Sequence, residues 1–302
     1  MANISLNIQE LHQFLESTPA SHNIMLVGNH GIGKSQILTN YFKEKGMEVV
    51  ALFLGQMADP GDLIGLPNKD EKTGKTDFMP PYWFPVDGKP IVLFLDELPE
   101  FSKVSMEAMR QPLEDGKITI SRVSGSLTYP CEIMLVCAMN PCPCGYYTHP
   151  TKACVCNPGQ VHRYLNRISG PLLDRIDIQI EIVPVPFEKM AEQKTGESSA
   201  SIRERVIKAR KIQEKRFANH PSIYCNAQME SKLLQQYATP DEQGLRLLRN
   251  AMNRLNLSAR AYDRILKVAR TIADLEGSEH IQSHHLAEAI GYRNLDRESW
   301  GG

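Results

Sequence analysis

A chain of 302 residues carrying 34 Lys and Arg against 35 Asp and Glu is nearly neutral, and its apolar and charged fractions are those of a soluble globular protein with room for one large and one small domain. No apolar run approaches the roughly 18 residues that span a bilayer. The start Met1-Ala-Asn-Ile-Ser-Leu-Asn lacks the basic and apolar stretches of a secretory signal, so a cytoplasmic protein without membrane contact is expected.

Short apolar runs alternate with helical patterns over the first 183 residues. Ile24–Val27, Val49–Leu54, Ile91–Leu95, Ile133–Met139 and Ile178–Val183 read as buried strands of a mostly parallel sheet. Lys34–Lys45 and Lys103–Leu113 read as crossover helices between them. That alternation predicts a doubly wound α/β domain over 1–186. Pro184-Val-Pro186 breaks the pattern, and a polar linker over 187–201 follows. From 202 to 302 no strand pattern is present. Five helices are predicted there, at Ile202–Phe217, Ala227–Tyr237, Gly244–Asn256, Ala259–Leu275 and Ser283–Tyr292, forming a smaller all-α lid domain.

The first strand runs into Gly28-Asn29-His30-Gly31-Ile32-Gly33-Lys34-Ser35-Gln36, a G-x-x-x-x-G-K-S loop between strand and helix. Glycines there let backbone N–H groups curl around phosphates, and the helix start adds its positive dipole end. Lys34 is placed to contact the β- and γ-phosphates of ATP, and the Ser35 hydroxyl to ligate Mg²⁺. His30 falls inside the loop by position, with nothing to mark it as catalytic. The strand Ile91–Leu95 delivers Asp96 and Glu97 to its C-terminal end, where open α/β sheets bind ligands. Asp96 is expected to hold the Mg²⁺ and Glu97 to orient and polarise the attacking water. Asn140 ends a third buried strand, where an amide can bond the water or the γ-phosphate without adding charge.

These residues resemble the AAA+ superfamily, in the helix-2-insert branch that holds magnesium chelatase, MoxR-type ATPases and ComM (YifB) proteins. Residues 1–98 look MoxR-like, notably Gly55-Gln-Met-Ala-Asp-Pro-Gly61 and Phe78-Met-Pro-Pro-Tyr-Trp-Phe84. Residues 99–302 look ComM-like, notably Arg110-Gln-Pro-Leu-Glu-Asp115 and Asn140-Pro-Cys-Pro-Cys-Gly145. The resemblance implies a P-loop fold, an insert over Ala58–Pro85 and a β-hairpin from Gly116 to Pro130. It makes Asn140 the sensor-1 residue, Arg175 the arginine that reaches a neighbour's ATP, and Arg260 the sensor-2 arginine; Arg122, Arg163, Arg167 and Arg264 compete for those roles. Arginine suits them because its planar fork pairs bidentately with phosphate oxygens and keeps its charge. It further implies a homo-oligomeric, hexameric ring hydrolysing Mg-ATP. The ring's target is DNA, as in branch migration, or alternatively a protein client remodelled or supplied with metal.

Two features sit beside this reading. Residues 201–270 carry 15 Lys and Arg against 6 Asp and Glu, suiting either an anionic partner or a solvated helical face with arginines at subunit contacts. Cys142, Cys144, Cys154 and Cys156 crowd into fifteen residues, which suits a tetrahedral zinc site or a loop that Pro141, Pro143, Gly145 and Pro150 organise without metal. Seven cysteines in all, an odd number, fit reduced thiols or a metal better than a disulfide framework.

Overall fold

A computed structural model describes residues 5–18, 22–28, 33–52, 66–69, 76–79, 91–122, 125–182, 197–220, 223–255 and 257–293. In chain order the elements begin with strand β1 (Ser5–Leu6) and helix α1 (Ile8–Ser17), which sequence reading did not anticipate. The signal for α1 was present as Asn7-x-x-Glu10: the Asn7 side chain accepts from the Glu10 N–H at 3.0 Å and Glu10 accepts from the Asn7 N–H at 2.8 Å. Strand β2 (Ile24–Gly28), helix α2 (Lys34–Glu44), β3 (Val49–Leu52) and β6 (Ile91–Leu95) match the predicted strands and crossover helix, with residues 53 and 54 outside the described set. Between β3 and β6 the expected insert contributes an antiparallel ribbon, β4 (Leu66–Lys69) against β5 (Thr76–Met79).

The single helix predicted over 103–113 is two, α3 (Lys103–Ala108) and α4 (Arg110–Asp115). Pro112 has no N–H to give the Ala108 carbonyl, so one continuous ladder cannot pass Met109. The hairpin follows as β7 (Lys117–Arg122) and β8 (Gly125–Pro130), in register from Lys117↔Pro130 to Arg122↔Gly125. After β9 (Ile133–Met139) come two short helices, α5 (Pro158–Leu165) and α6 (Gly170–Leu173), and then β10 (Ile178–Ile182). The helical C-terminal region holds α7 (Ser199–Arg216), α8 (Ser231–Tyr237), α9 (Glu242–Arg254), α10 (Ala259–Glu276) and α11 (Ser283–Gly291), close to the five predicted helices.

The chain forms two compact units, residues 28–176 and residues 1–27 with 177–302. Within 28–176 the sheet order is β9-β6-β3, all parallel, with Leu95 level with both Leu52 and Cys137. β6 is buried along its whole length, as expected of a strand covered on both faces. Within the other unit the order is β1-β10-β2; β1 runs parallel to β10, with Ser5 opposite Glu181. There α1 packs on α7, and α10 packs on α7, α8 and α11. Gly244 lets α9 approach α11: a Cβ at that position would lie 2.7 Å from a Leu286 methyl. The fold is a mostly parallel sheet flanked by helices, with a helical C-terminal region.

Candidate nucleotide site

β2 delivers Gly28, and α2 opens at Gly33, whose φ of 79° lies in the left-handed region where a Cβ is strained. Asn29, His30, Gly31 and Ile32 lie outside the described residues. Lys34 follows in the first turn of α2 and is 8 % exposed. Its Nζ donates to the Gly28 carbonyl at 2.9 Å and to the Asn140 Oδ1 at 3.3 Å. Burial lowers the Lys34 pKa from its ordinary value, and the carboxylates of Asp96 and Glu97 oppose that shift.

The Ser35 hydroxyl donates to the Asp96 carboxylate. The other Asp96 oxygen accepts the Glu97 N–H at 3.1 Å. Glu97 itself is exposed and holds φ 55° and ψ 47°, unusual for a residue with a side chain. The 3₁₀ turn Leu98–Glu100, with Leu98 and Pro99 buried, holds it there. Because β6 and β9 run parallel in register, Asp96 and Asn140 emerge at the same end of the sheet. The cleft they share has a volume of about 690 Å³ and is lined by Gly33, Lys34, Ser35, Asp96, Glu97 and Asn140 among others. That falls in the range of small-ligand sites.

Other lining residues went unread in the sequence. Thr39, Asn40 and Lys43 also face the cleft beside Gln36, and their three- and four-residue spacing along α2 was the available signal. The Gln36 amide donates to Asn40 at 2.8 Å. Tyr164, on α5, hydrogen-bonds the Asn140 backbone.

Of the two arginines assigned by resemblance, Arg175 belongs to the unit that carries this cluster and Arg260 to the other unit. Arg175, just past α6, is 3 % exposed; it donates to the Pro171 carbonyl at 2.6 Å and pairs with Glu114 on α4. It is engaged inside its own unit rather than presented at an open edge. Arg260 lies exposed in the first turn of α10, in the other compact unit. Of the competitors, Arg167 pairs with Glu100, and Arg264 pairs with the buried Asp177. Side chains at 120–127, including Arg122, lie outside the described set.

Part of the positive excess over 201–270 is internal. Arg216 and Arg270 both bind Asp274, Lys267 donates to the Ala227 carbonyl at 2.8 Å, and Arg264 is taken by Asp177. Arg203, Lys208, Lys211 and Lys215 of α7 stay exposed. Among the described residues no helix is long and apolar enough to cross a membrane.

A strand-to-helix lysine–serine pair facing an acidic strand end, on this sheet, defines a P-loop fold of the AAA+ type. Residues 88–190 match the family described as "Magnesium chelatase, subunit ChlI", and residues 196–293 match its C-terminal counterpart. The "Competence protein ComM" of Haemophilus influenzae is 46 % identical over 207 residues, covering 68 % of this chain and 39 % of that protein. The "Uncharacterized protein YifB" of Salmonella typhimurium is 36 % identical over 309 residues, covering 94 % of this chain and 58 % of that protein. The chain thus spans 39 % to 58 % of the length of these relatives. It belongs to the magnesium chelatase ChlI family of AAA+ proteins, whose members are generally ATPases, and it is ComM-like within that family.

Proposed function

We propose that this chain binds ATP with Mg²⁺ in the cleft at the β6–β9 sheet end and hydrolyses it. The observation that carries this reading is convergence: Lys34 meets Gly28 and Asn140 while Ser35 meets Asp96, joining segments 61 and 106 residues apart in sequence. Ser35 and Asp96 supply adjacent hard oxygen donors, the kind Mg²⁺ takes, so the donor set fits the ion. Bound there, Mg²⁺ would neutralise charge on the β- and γ-phosphates. Lys34 exchanges its present carbonyl and amide partners for phosphate oxygens. Glu97 accepts hydrogen bonds from the attacking water and orients it, and Asn140 donates its amide to that water or to the γ-phosphate. Gly28 to Gln36 form the phosphate cradle.

The same reading makes the chain a hexameric ring, with an α/β ATPase domain over 1–186, a linker over 187–201 and a lid over 202–302. Arg260 senses the γ-phosphate within a subunit. Arg175 serves the neighbour's ATP by leaving Glu114, whose side chain is 40 % exposed and able to take water in exchange. A nucleic acid is the favoured target, supported by the likeness to a protein named for competence and by the exposed α7 cations. The test has two arms. Lys34→Ala should abolish nucleotide binding by a fluorescent ATP analogue; binding at the parent level would overturn the site. A four-way DNA junction should shift on a gel and lose that shift steeply as salt rises. ATPase activity without any junction binding would turn the assignment towards a protein client of the MoxR kind.

A further inference from the structure

We propose that Cys142, Cys144, Cys154 and Cys156 form a structural zinc site that staples the loop following Asn140. All four sulfurs lie within 4.8 Å of one another. Cys142 and Cys144 are 3.3 Å apart, Cys144 and Cys154 are 3.5 Å apart, and Cys142 and Cys154 are 3.7 Å apart. A tetrahedron with zinc–sulfur bonds of about 2.3 Å has sulfur–sulfur edges of about 3.8 Å, so the four thiols need only small adjustments to take the ion. None of the spacings is that of a disulfide, and all four thiols are free.

The backbone is shaped for thiolates. The Gly145 N–H closes a turn on the Cys142 carbonyl at 3.0 Å, with Gly145 at φ 80°. That turn aims the Tyr147 N–H at the Cys142 sulfur, 3.3 Å away. The N–H groups of Tyr146 and Val155 hydrogen-bond Cys144. Such donors stabilise the charge that a four-thiolate zinc centre carries. Binding exchanges four S–H protons for one Zn²⁺, leaving a centre of net charge −2. Cys142 is buried while the other three are part-exposed, which gives the ion an open side to enter.

The staple has a location that matters. The loop leaves Asn140 and ends at Asn157, which caps α5 together with Gln160. Tyr164 on the same helix then bonds back to the Asn140 backbone. A metal at the four sulfurs would therefore fix both ends of the segment between the site amide and α5. The thiol geometry stands whether or not the cleft hydrolyses ATP, so metal content and ATPase activity are separate readouts.

The test is the metal content of the full chain, purified reduced and without chelator, and measured by atomic emission. About one zinc per chain is expected, lost in the Cys144→Ser/Cys156→Ser double variant and kept in Cys225→Ser. Should the double variant fail to fold, cobalt(II) added to the metal-free parent chain decides. Thiolate-to-cobalt charge transfer with tetrahedral visible bands supports the site. Absence of those bands, with the reaction of the thiols towards a disulfide reagent unchanged by added zinc, overturns it. Iron in place of zinc in the purified chain overturns the assignment of the metal.

Discussion

Asp274 holds together two arginines of the helical unit, and removing it should be among the most destabilising single changes available. Its carboxylate is 1 % exposed. Arg216 grips it bidentately at 2.7 and 2.5 Å, Arg270 donates through Nε at 3.1 Å, and the Asn226 amide adds a bond at 2.8 Å. Arg270 is itself 2 % exposed and spends its remaining donors on the Glu279 and Ser278 carbonyls, closing the turn after α10. Asp274→Ala would strand two like charges facing one another, with little water to screen them. Removing one partner of a buried pair costs roughly 3–5 kcal/mol, and two stranded cations argue for the upper end. At about 2–4 °C per kcal/mol for a unit of this size, Tm should fall by roughly 6–20 °C. Urea unfolding followed by far-UV circular dichroism gives the measurement, with an unchanged m-value confirming a loss of stability rather than of compactness. Asp274→Asn, keeping the shape and one acceptor oxygen, should fall between the two. A loss of under about 1 kcal/mol for Asp274→Ala would refute the claim that this network is buried and mutually dependent. The consequence reaches function, because α10 also carries Arg260 in its first turn.

Glu97→Gln should retain ATP binding while losing turnover, since an amide keeps the shape but cannot act as a base; turnover at the parent rate would remove Glu97 from that role. Arg175→Ala should bind ATP yet lose about a thousandfold in hydrolysis, and regain activity when mixed with Lys34→Ala subunits, because some interfaces then pair an intact cleft with an intact arginine. A rate that stays at zero across mixing ratios, with assembly confirmed, would leave Arg175 as the structural partner of Glu114. His22 is 2 % exposed, and burial, opposed by Asp177 and reinforced by Arg264, Arg210 and Lys267, holds its pKa below the ordinary 6.5. The folded chain therefore keeps His22 neutral while the unfolded chain protonates it near 6.5, so its contribution to stability is present above that pH and is lost as pH falls towards the folded value. His22→Gln should flatten the fall in stability measured between about pH 7 and about pH 5; an unchanged slope would reassign that titration elsewhere.

What the sequence determined is what short stretches of chain determine by themselves. The apolar runs at Ile24, Ile91 and Ile133 are buried strands because their neighbours offer nothing polar to either face, and Lys34 starts a helix because Gly33 can take the left-handed turn. Lys34, Ser35, Asp96, Glu97 and Asn140, each legible in the sequence, line one cleft. The five C-terminal helices were legible for the same reason, through helical periodicity, whereas the hairpin at 117–130 was expected only from the family resemblance. Partners far apart in sequence were not legible. Nothing local says that Arg175 will meet Glu114, 61 residues earlier, or that Arg264 will close on Asp177, 87 residues away. Segment composition could not separate exposed lysines of α7 from arginines committed to Asp274, since a charge count ignores which face of a helix is covered. β1 is two residues long and has no pattern of its own; only pairing with β10 makes it a strand. The four cysteines fall between these cases: sequence brought them within fifteen residues, but with one residue between each pair it could not say whether their sulfurs converge. That was decided in space, by the turn at Gly145 and the N–H groups aimed at Cys142 and Cys144.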